Sequence, residues 1–487
     1  MIRADNAVVR FWIFALGQFF IWIVVPSIVF RNLPLDVVEG LGWGHGWPSG
    51  TYKHPPLQAW ILELAAIIGG RHDSAIYAAG AGSLLLTYWA LWRFGRMVVA
   101  PPVALVGVMA LASCFYFATT IPEFNPNVVQ MPLYVLCGWL FWRGVQNDRL
   151  YDWLLFGFCA GLGMLGKYSF AFMLLSIGGF ILIDAKARAA LRRPGPYLAL
   201  IVGVAVFAPH FAWMVQHNWL PLHYAQSRTH YADGIVMALA QAAKFFLGQM
   251  LAIFPVLLVL WLARTRSGSG VQLAKDASLR RYLTFLAWGP VALIVLLSAV
   301  TGAQMRDMWG MGLWVFIGLW AAERWRSDWD RSALARGVLL LAMLAMPVAV
   351  WLGASHSVSF GFRPWRTEFP GRQLAAEAEA FWREQTRGTP LKIVLGDSWY
   401  GGNIAWYAPS IRPQLMINGN AAYSPWVAYA DVARHGALAV WDPDGGGAAT
   451  PDWALRLGQI TAIKTVTLPY GNKQIRARLA VVGRKAQ

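Results

Sequence analysis

Apolar residues run in blocks of about 20 along the first three quarters of the chain, separated by short polar links rich in arginine. A block of that length spans the hydrocarbon core of a bilayer as an α-helix, and the backbone polar groups inside lipid demand either helices or a closed barrel. The short alternating strands of a barrel do not occur in these blocks. The pattern predicts eleven spans, near residues 9–30, 74–92, 98–119, 127–142, 151–166, 168–184, 197–215, 243–262, 283–300, 309–322 and 337–354. Between the first two spans, residues 57–69 are apolar but too short to cross comfortably, and Pro55 and Pro56 stop a helix from running in from His54. That stretch predicts a helix lying along the membrane surface, holding the polar loop before it against the mouth of the bundle.

From about Ser355 the pattern changes. Residues 372–387 have the spacing of an amphipathic helix, and residues 391–396, 415–418, 437–441 and 476–482 read as short strands separated by Gly and Pro. The expected organisation is a transmembrane region over residues 1–354 and a soluble α/β domain over 355–487. No internal repeat suggests a two-halved transporter.

Composition agrees with this division. The chain is 57% hydrophobic and 13% charged, against about 25% charged in soluble proteins. The first apolar block is too long for a signal-peptide core and lacks a small-residue cleavage site, so it is expected to remain as a helix. The formal charge of +17 would suit nucleic acid, yet the cations sit mainly in links on one side: Arg93 and Arg96, Arg143 and Arg149, and residues 186–193, 264–281 and 324–336. The opposite links carry mainly Arg31, Lys53, Arg71, Arg228 and Arg306. By the positive-inside rule the N-terminus is cytoplasmic and the C-terminal domain periplasmic, in a bacterial inner membrane, with membrane lipids and not nucleic acid as partners. Cys114, Cys137 and Cys159 lie in or beside apolar blocks and read as packing residues. An aromatic content of 14%, with 27 Trp, fits interfacial belts first and sugar stacking second. No Walker loop, dinucleotide fingerprint or zinc-protease helix is present, so ATP-driven and nicotinamide chemistry are unsupported.

Candidate chemistry concentrates in the outer links. Asp36 and Glu39, spaced i, i+3, share a helix face if a turn starts after Pro34, where a carboxylate could deprotonate a hydroxyl or hold a divalent cation; a solvated loop is the plainer alternative. Lys53 and His54, pinned by the two prolines, suit a phosphate, with snorkelling of Lys53 to a headgroup as the competing account. A second polar turn, residues 121–127, brings Glu123 and Asn125 to the same side, either to line a cavity or as a turn whose Asn residues satisfy their own backbone. Lys167 and Tyr168 interrupt an apolar stretch at the outer end of a span, where an amine needs a lipid phosphate or an acid. Residues 216–234 add His217, His223, Arg228, His230 and Tyr231, suited to phosphate or sugar contact but without metal-ligand spacing. Arg306 and Asp307 are neighbours in the last outer turn, able to pair with each other.

The order of hydrophobic helix, Asp36-x-x-Glu39, a Trp/Gly-rich stretch, and Tyr52-Lys53-His54-Pro55-Pro56-Leu57 with Trp60 resembles the bacterial family 39 glycosyltransferases. These and their aminoarabinose-transferase-like relatives belong to the GT-C membrane superfamily, related to protein O-mannosyltransferases. The resemblance implies a GT-C-like bundle and transfer of a single sugar from a polyprenyl-phosphate donor to a lipid, glycan or protein acceptor on the outer face. Asp36 matches the family's first-loop acid, whereas Val37 and Val38 stand where relatives often carry an adjacent acid. His54 occupies the place of a Lys that commonly precedes the first Pro, with Lys53 one residue earlier. Asn125-Pro126 corresponds to an Asp-Pro pair of some relatives, so a carboxylate role does not transfer there. The mechanism expected is inverting attack by an acceptor hydroxyl on the anomeric carbon, with Asp36 as base or acceptor-orienting group and Glu39 beside it. Lys53, His54, Lys167 and Arg228 would hold the departing phosphate, with Glu123, Asn125, Tyr168 and His230 lining the acceptor side. No cofactor is demanded, and a divalent cation is compatible. The alternatives are a lipid or glycan transporter or flippase, which should carry its charges mid-span, an assembly protein, and a glycan ligase or polymerase that moves whole chains.

Overall fold

The computed structural model describes residues 2–264, 276–328, 330, 332–359, 361–444 and 450–483. Part of the basic link at 264–281 and one arginine of the link at 324–336 lie outside the described residues. In chain order the first three quarters form α1 (Ile2–Val29), α2 (Leu35–Gly44), α3 (Leu57–Ile68), α4 (Asp73–Val98), α5 (Pro101–Ala110), α6 (Pro126–Asn147), α7 (Leu150–Gly166), α8 (Ala171–Ile183), α9 (Ala185–Ala190), α10 (Gly195–Gln216), α11 (Leu220–Ser227), α12 (Ile235–Leu262), α13 (Ala277–Thr301), α14 (Ile317–Trp325) and α15 (Ala333–His356). The remainder forms α16 (Gly371–Gln385), β1 (Ile393–Gly396), α17 (Tyr400–Tyr407), β2 (Gln414–Ile417), α18 (Tyr429–His435), β3 (Ala437–Trp441), α19 (Asp452–Leu457), β4 (Ile460–Tyr470) and β5 (Lys473–Val482).

Among the described residues seven helices, α1, α4, α6, α10, α12, α13 and α15, are long and apolar enough to cross a membrane. The other four expected spans coincide with shorter helical pieces. α7 and α8 have 17 and 13 residues. The span expected at 98–119 begins as α5, whose Pro101 and Pro102 occupy the first turn, and then tightens into 3-10 turns at Leu111–Ser113 and Phe115–Phe117. The span expected at 309–322 is a 3-10 run, Asp307–Trp314, followed by α14. A side chain at Gly310 would collide with Gln249 Oε1, which an added Cβ would meet at 1.7 Å.

Contact clustering divides the chain into two compact units. Unit 1 holds residues 1–24, 53–57 and 77–349. Its outward side chains are apolar, as lipid requires: Leu200, Ile201 and Val204 on α10 and Leu341, Leu344 and Val348 on α15 are all more than half exposed or close to it. Where lipid tails are as apolar as leucine, helices associate by close backbone packing at small residues. Gly157 and Gly161 of α7 supply such a face, since a Cβ on Gly157 would meet the Ala199 carbonyl of α10 at 2.1 Å and one on Gly161 would meet the Gly203 carbonyl at 2.8 Å. Cys114, Cys137 and Cys159 are buried and unpaired, in keeping with a packing role.

Unit 2 holds residues 25–52, 58–76 and 350–487, so α2 and α3 belong to the same compact body as the C-terminal sheet. The sheet has the order β2-β1-β3-β5-β4, with β1 parallel to β2 and β3, and β5 antiparallel to β3 and β4. β4 has no counterpart in the sequence expectation. Its exposed and half-exposed side chains alternate, and Pro469 is tolerated because β4 is an edge strand. Val394, Leu415, Leu438, Val440 and Leu479 point to one face of the sheet, where they pack with Leu374 and Trp382 of α16, Ile404 of α17, Trp43 of α2 and Ala59 of α3. Leu395, Met416, Ala439 and Ala480 form the second core on the opposite face.

A buried ion pair fastens this arrangement. The Arg412 guanidinium donates to Glu63 Oε2 of α3 and to the Leu41 carbonyl of α2, both at 2.6 Å, and its plane lies over Trp406. Arg412 and Glu63 side chains are 8% and 5% exposed, and His45 Nδ1 stands 3.3 Å from the other carboxylate oxygen. Burial on its own would raise the Glu63 pKa, but the His45 hydrogen bond and the Arg412 charge and hydrogen bond outweigh it and hold the carboxyl below its ordinary value. Asp73, at the start of α4, is tied to the same unit by Trp406 Nε1 at 3.2 Å, Tyr407 Oη at 3.1 Å and Arg372 Nη2 at 2.7 Å. Breaking a buried pair from one side leaves an uncompensated charge, at a cost of about 3–5 kcal/mol. Arg412→Leu is therefore expected to lower the melting temperature of the detergent-solubilised protein sharply, and Glu63→Leu added to it should recover most of the loss. A single variant that melts like the parent would show that the pair is dispensable.

Candidate active site

Within unit 2, Pro34 precedes the first turn of α2 and Asp36 sits in that turn. The helical turn expected after Pro34 therefore forms, and Asp36 and Glu39 lie one turn apart on it. Their environments differ. Glu39 is 6% exposed and accepts a hydrogen bond from Tyr52 Oη at 3.4 Å. Asp36 is half-buried, and Gln58 Nε2 donates to its backbone carbonyl at 2.9 Å. Among the described residues the Asp36 carboxylate has no hydrogen bond or ion pair. Tyr52 stacks on Tyr423 with ring centroids 4.7 Å apart and meets the edge of Trp43 at 6.1 Å. Tyr423 belongs to the loop after β2, which is fixed by the Ile417 N–H donating to Ser424 Oγ at 2.8 Å and by Trp426 Nε1 donating to the Leu415 carbonyl at 2.8 Å.

Within unit 1, His54 follows Lys53 directly and lies close enough to Lys167 to feel its charge. The protein around the imidazole withholds the solvation a charged ring would need, and the Lys53 and then Lys167 ammonium charges act in the same sense, so its pKa falls well below 6.5. Burial and the two ammonium charges thus all disfavour the charged form of His54. Lys53 Nζ stands 5.8 Å from the Tyr224 ring centroid, and Lys167 Nζ stands 5.5 Å from that of Trp309. Lys167 also donates to Asn127 Oδ1 at 2.6 Å, while its carbonyl accepts from Gln130 Nε2 at 2.8 Å. This partner is an amide oxygen of α6, where the sequence suggested a lipid phosphate or an acid.

The other expected residues are more dispersed. Asn125 caps α6, its Oδ1 accepting from the N–H groups of Asn127 at 2.9 Å and Val128 at 3.4 Å, which is the backbone-satisfying alternative weighed for it. Glu123 is exposed at the end of a short 3-10 turn. Tyr168 Oη is 2.8 Å from His210 Nε2 and is anchored toward α10. Arg228 follows α11 and is exposed, and His230 is exposed with its carbonyl accepting from the Gln304 N–H at 2.9 Å. Arg306 and Asp307 do not neutralise each other, because their side chains leave the segment without an ion pair among the described residues. Asp307 is instead held through its backbone carbonyl, which accepts from Tyr116 Oη at 2.6 Å and Gln249 Nε2 at 3.0 Å. No group of three or more potential metal ligands occurs among the described residues.

Arg412, Asn127 and Tyr423 carry no role in the sequence reading. Asn127 stands in the polar turn that was singled out, two residues from Asn125. Nothing in the local pattern around Arg412 or Tyr423 sets them apart from ordinary surface residues of a small domain.

Comparison with known proteins places these features in a family. Residues 53–213 match the family described as dolichyl-phosphate-mannose-protein mannosyltransferase, a stretch that includes Lys53, His54, Asn127 and Lys167. The lipopolysaccharide core galacturonosyltransferase RgtA of Rhizobium johnstonii is 25% identical over 456 residues, covering 90% of this chain and 88% of the relative. The lipid A galacturonosyltransferase RgtD of the same organism is 23% identical over 351 residues, covering 68% of this chain and 69% of its own. Among solved structures, the mycobacterial arabinofuranosyltransferase AftD superposes with a TM-score of 0.51 at 13% identity, over 98% of this chain and 40% of that chain, a likeness of fold. Residues 53–213 thus carry the domain of the dolichyl-phosphate-mannose-protein mannosyltransferase family, and over most of its length the chain is similar to lipopolysaccharide galacturonosyltransferases.

Proposed function

We propose that the protein transfers a single sugar from a polyprenyl-phosphate donor to a lipopolysaccharide or lipid A acceptor on the periplasmic face of the inner membrane. The relatives' names suggest galacturonic acid as the sugar. The observation that carries this reading is the grouping of Lys53, His54 and Lys167 in unit 1, close enough for both ammonium charges to act on the imidazole. Two ammonium groups beside an uncharged donor ring suit a phosphate whose charge increases as the glycosidic bond breaks. A cationic imidazole there would add to the repulsion, and its lowered pKa avoids that.

The two carboxylates of α2 take different parts. The acceptor hydroxyl oxygen bonds to the anomeric carbon as the carbon–oxygen bond to phosphate breaks, with inversion, and the bonding pair leaves with the polyprenyl phosphate. The hydroxyl proton passes to Asp36, the half-buried carboxylate that has no side-chain partner among the described residues. Glu39, buried and bonded to Tyr52, positions the helix and the Tyr52 ring. Arg228, an exposed cation at the end of α11, offers a further phosphate contact at the mouth of the site, while Glu123 and His230 remain candidates for acceptor contact on exposed loops. Asn125 and Tyr168 contribute by fixing α6 and α10. No step in this sequence requires a cofactor.

Mass spectrometry of envelope glycolipids from the parent strain, a deletion strain and a strain expressing Asp36→Asn tests the reaction. Loss of the same single-sugar mass in both mutants, with the variant present at parental levels in the membrane, is expected. A variant that keeps full turnover would remove Asp36 from the chemistry, and an unchanged profile in the deletion strain would remove the reaction. For the anion site, Lys53→Gln and Lys167→Gln should each cut kcat/KM by about 10–100-fold, the worth of roughly 1.5–3 kcal/mol for a charged hydrogen bond. Rescue of Lys167→Gln by arginine, which keeps the charge, separates a phosphate contact from packing.

A further inference from the structure

A polar cavity of about 340 Å³ lies between α12 and the segment that follows α13, lined by Gln241, Lys244, Gln304, Met305, Arg306 and Asp307 together with Phe245. That volume is within the range that small-molecule sites occupy. The segment is rigid. Gly302 ends α13 in a left-handed conformation with φ of 71°, Ser298 Oγ donates to the Ala303 carbonyl at 2.8 Å, and the Gln304 N–H donates to the His230 carbonyl at 2.9 Å. Tyr116 and Gln249 then clamp the Asp307 carbonyl, and Trp309, two residues on, is the ring against Lys167.

On this fixed backbone the side chains remain uncommitted. Among the described residues, Lys244, Arg306 and the Asp307 carboxylate make no ion pair, and Gln241 Oε1 is a buried oxygen without a hydrogen-bond donor. A rigid wall bearing two cations, a carboxylate and an unsatisfied amide oxygen is complementary to a ligand that carries an anionic group and several hydroxyls. Mere snorkelling of Lys244 and Arg306 to lipid headgroups would account for the cations but not for the buried acceptor beside them.

We propose that Lys244 and Arg306 form a second anion subsite, separate from Lys53, His54 and Lys167, that reads the carboxylate or phosphate of an acidic saccharide while Gln241 and Asp307 accept its hydroxyls. The inference rests on the transferase reading and deepens it, for it makes the enzyme selective for an acidic sugar unit. The anionic group has two sources, the carboxylate of a uronosyl donor or a phosphate of the acceptor glycolipid. Two probe pairs separate them. Galacturonic acid 1-phosphate and galactose 1-phosphate differ only by the carboxylate, and bisphosphorylated and dephosphorylated lipid A differ only by phosphate.

Binding of each pair to the purified full-length protein in detergent is compared with binding to Lys244→Gln/Arg306→Gln. The wild type should prefer the more anionic member of one pair by about tenfold, the effect of one charge-assisted contact, and the double variant should lose that preference. Loss within the sugar-phosphate pair assigns the donor carboxylate; loss within the lipid A pair assigns the acceptor phosphate. A double variant that melts like the wild type and keeps every preference overturns the subsite, as does equal binding within both pairs by the wild type. Should the double variant fold poorly, Lys244→Arg/Arg306→Lys must restore the preference, and failure to do so also overturns it. Absence of sugar transfer by a wild type that still shows the preference counts against the transferase reading alone.

Discussion

A guanidinium and a carboxylate buried together hold the segment between α1 and α4 in place. Arg412 lies in the segment leading into β2 and Glu63 on α3, 349 residues apart in sequence, and each would be costly to bury without the other. Because Arg412 also donates to the Leu41 carbonyl, the pair fixes the C-terminal half of α2 as well as α3. The helix that carries Asp36 and Glu39 is thereby part of the same compact body as the sheet. Small faces reinforce this: Gly40 and Gly44 of α2 approach Gln58, Leu62 and Ala59 so closely that a Cβ at either would collide. A loop of this kind on a membrane surface, left to itself, would have no core to order it. The C-terminal sheet supplies that core.

A different constraint governs unit 1. A charge is costly beside lipid, and the fold can offset that cost by giving it polar partners. Lys167 shows how this works. It follows α7 directly, it is bonded to Asn127 in the first turn of α6, and its carbonyl is bonded to Gln130 one turn further along. The same α6 is capped by Asn125, so the amide that receives the ammonium group is positioned by the capping amide beside it.

Much of this architecture is legible in sequence because it is written in local pattern. Apolar block length announces the helices, and the eleven expected spans fall on helical segments, although four are too short to qualify by length because proline, 3-10 turns and close glycine contacts interrupt them. Asp36, Lys53, His54 and Lys167 are conspicuous as ionisable groups in an apolar context, which local reading detects. β4 escapes it because an edge strand with alternating half-exposed residues and a proline has little hydrophobic signal. The membership of α2 and α3 in the C-terminal body escapes it for a stronger reason, since it depends on pairings such as Arg412 with Glu63 and Asp73 with Tyr407 that no window of neighbouring residues contains. The same holds for the stacking of Tyr423 on Tyr52.

That stacking bears on the division of labour proposed for the two acids. Tyr52 can serve Glu39 only while its ring is held, and it is held by Tyr423 on one side and the edge of Trp43 on the other. An aromatic pair in this geometry is worth about 0.5–1.5 kcal/mol beyond burial, enough to restrict a ring without freezing it. With Tyr52 so restricted, the Glu39 carboxylate has a donor in place and is spared the cost of an unsatisfied buried charge. Asp36, one turn earlier on the same helix, receives no such compensation from a side chain and is left with the solvent it half faces. A carboxylate already satisfied by its neighbours is a poor proton acceptor for an incoming hydroxyl, whereas one that is oriented by its helix and still unpaired can take up that bond at little cost. The asymmetry between two residues that look equivalent in sequence is thus produced by the C-terminal part of unit 2, through a single aromatic ring stacked on Tyr52.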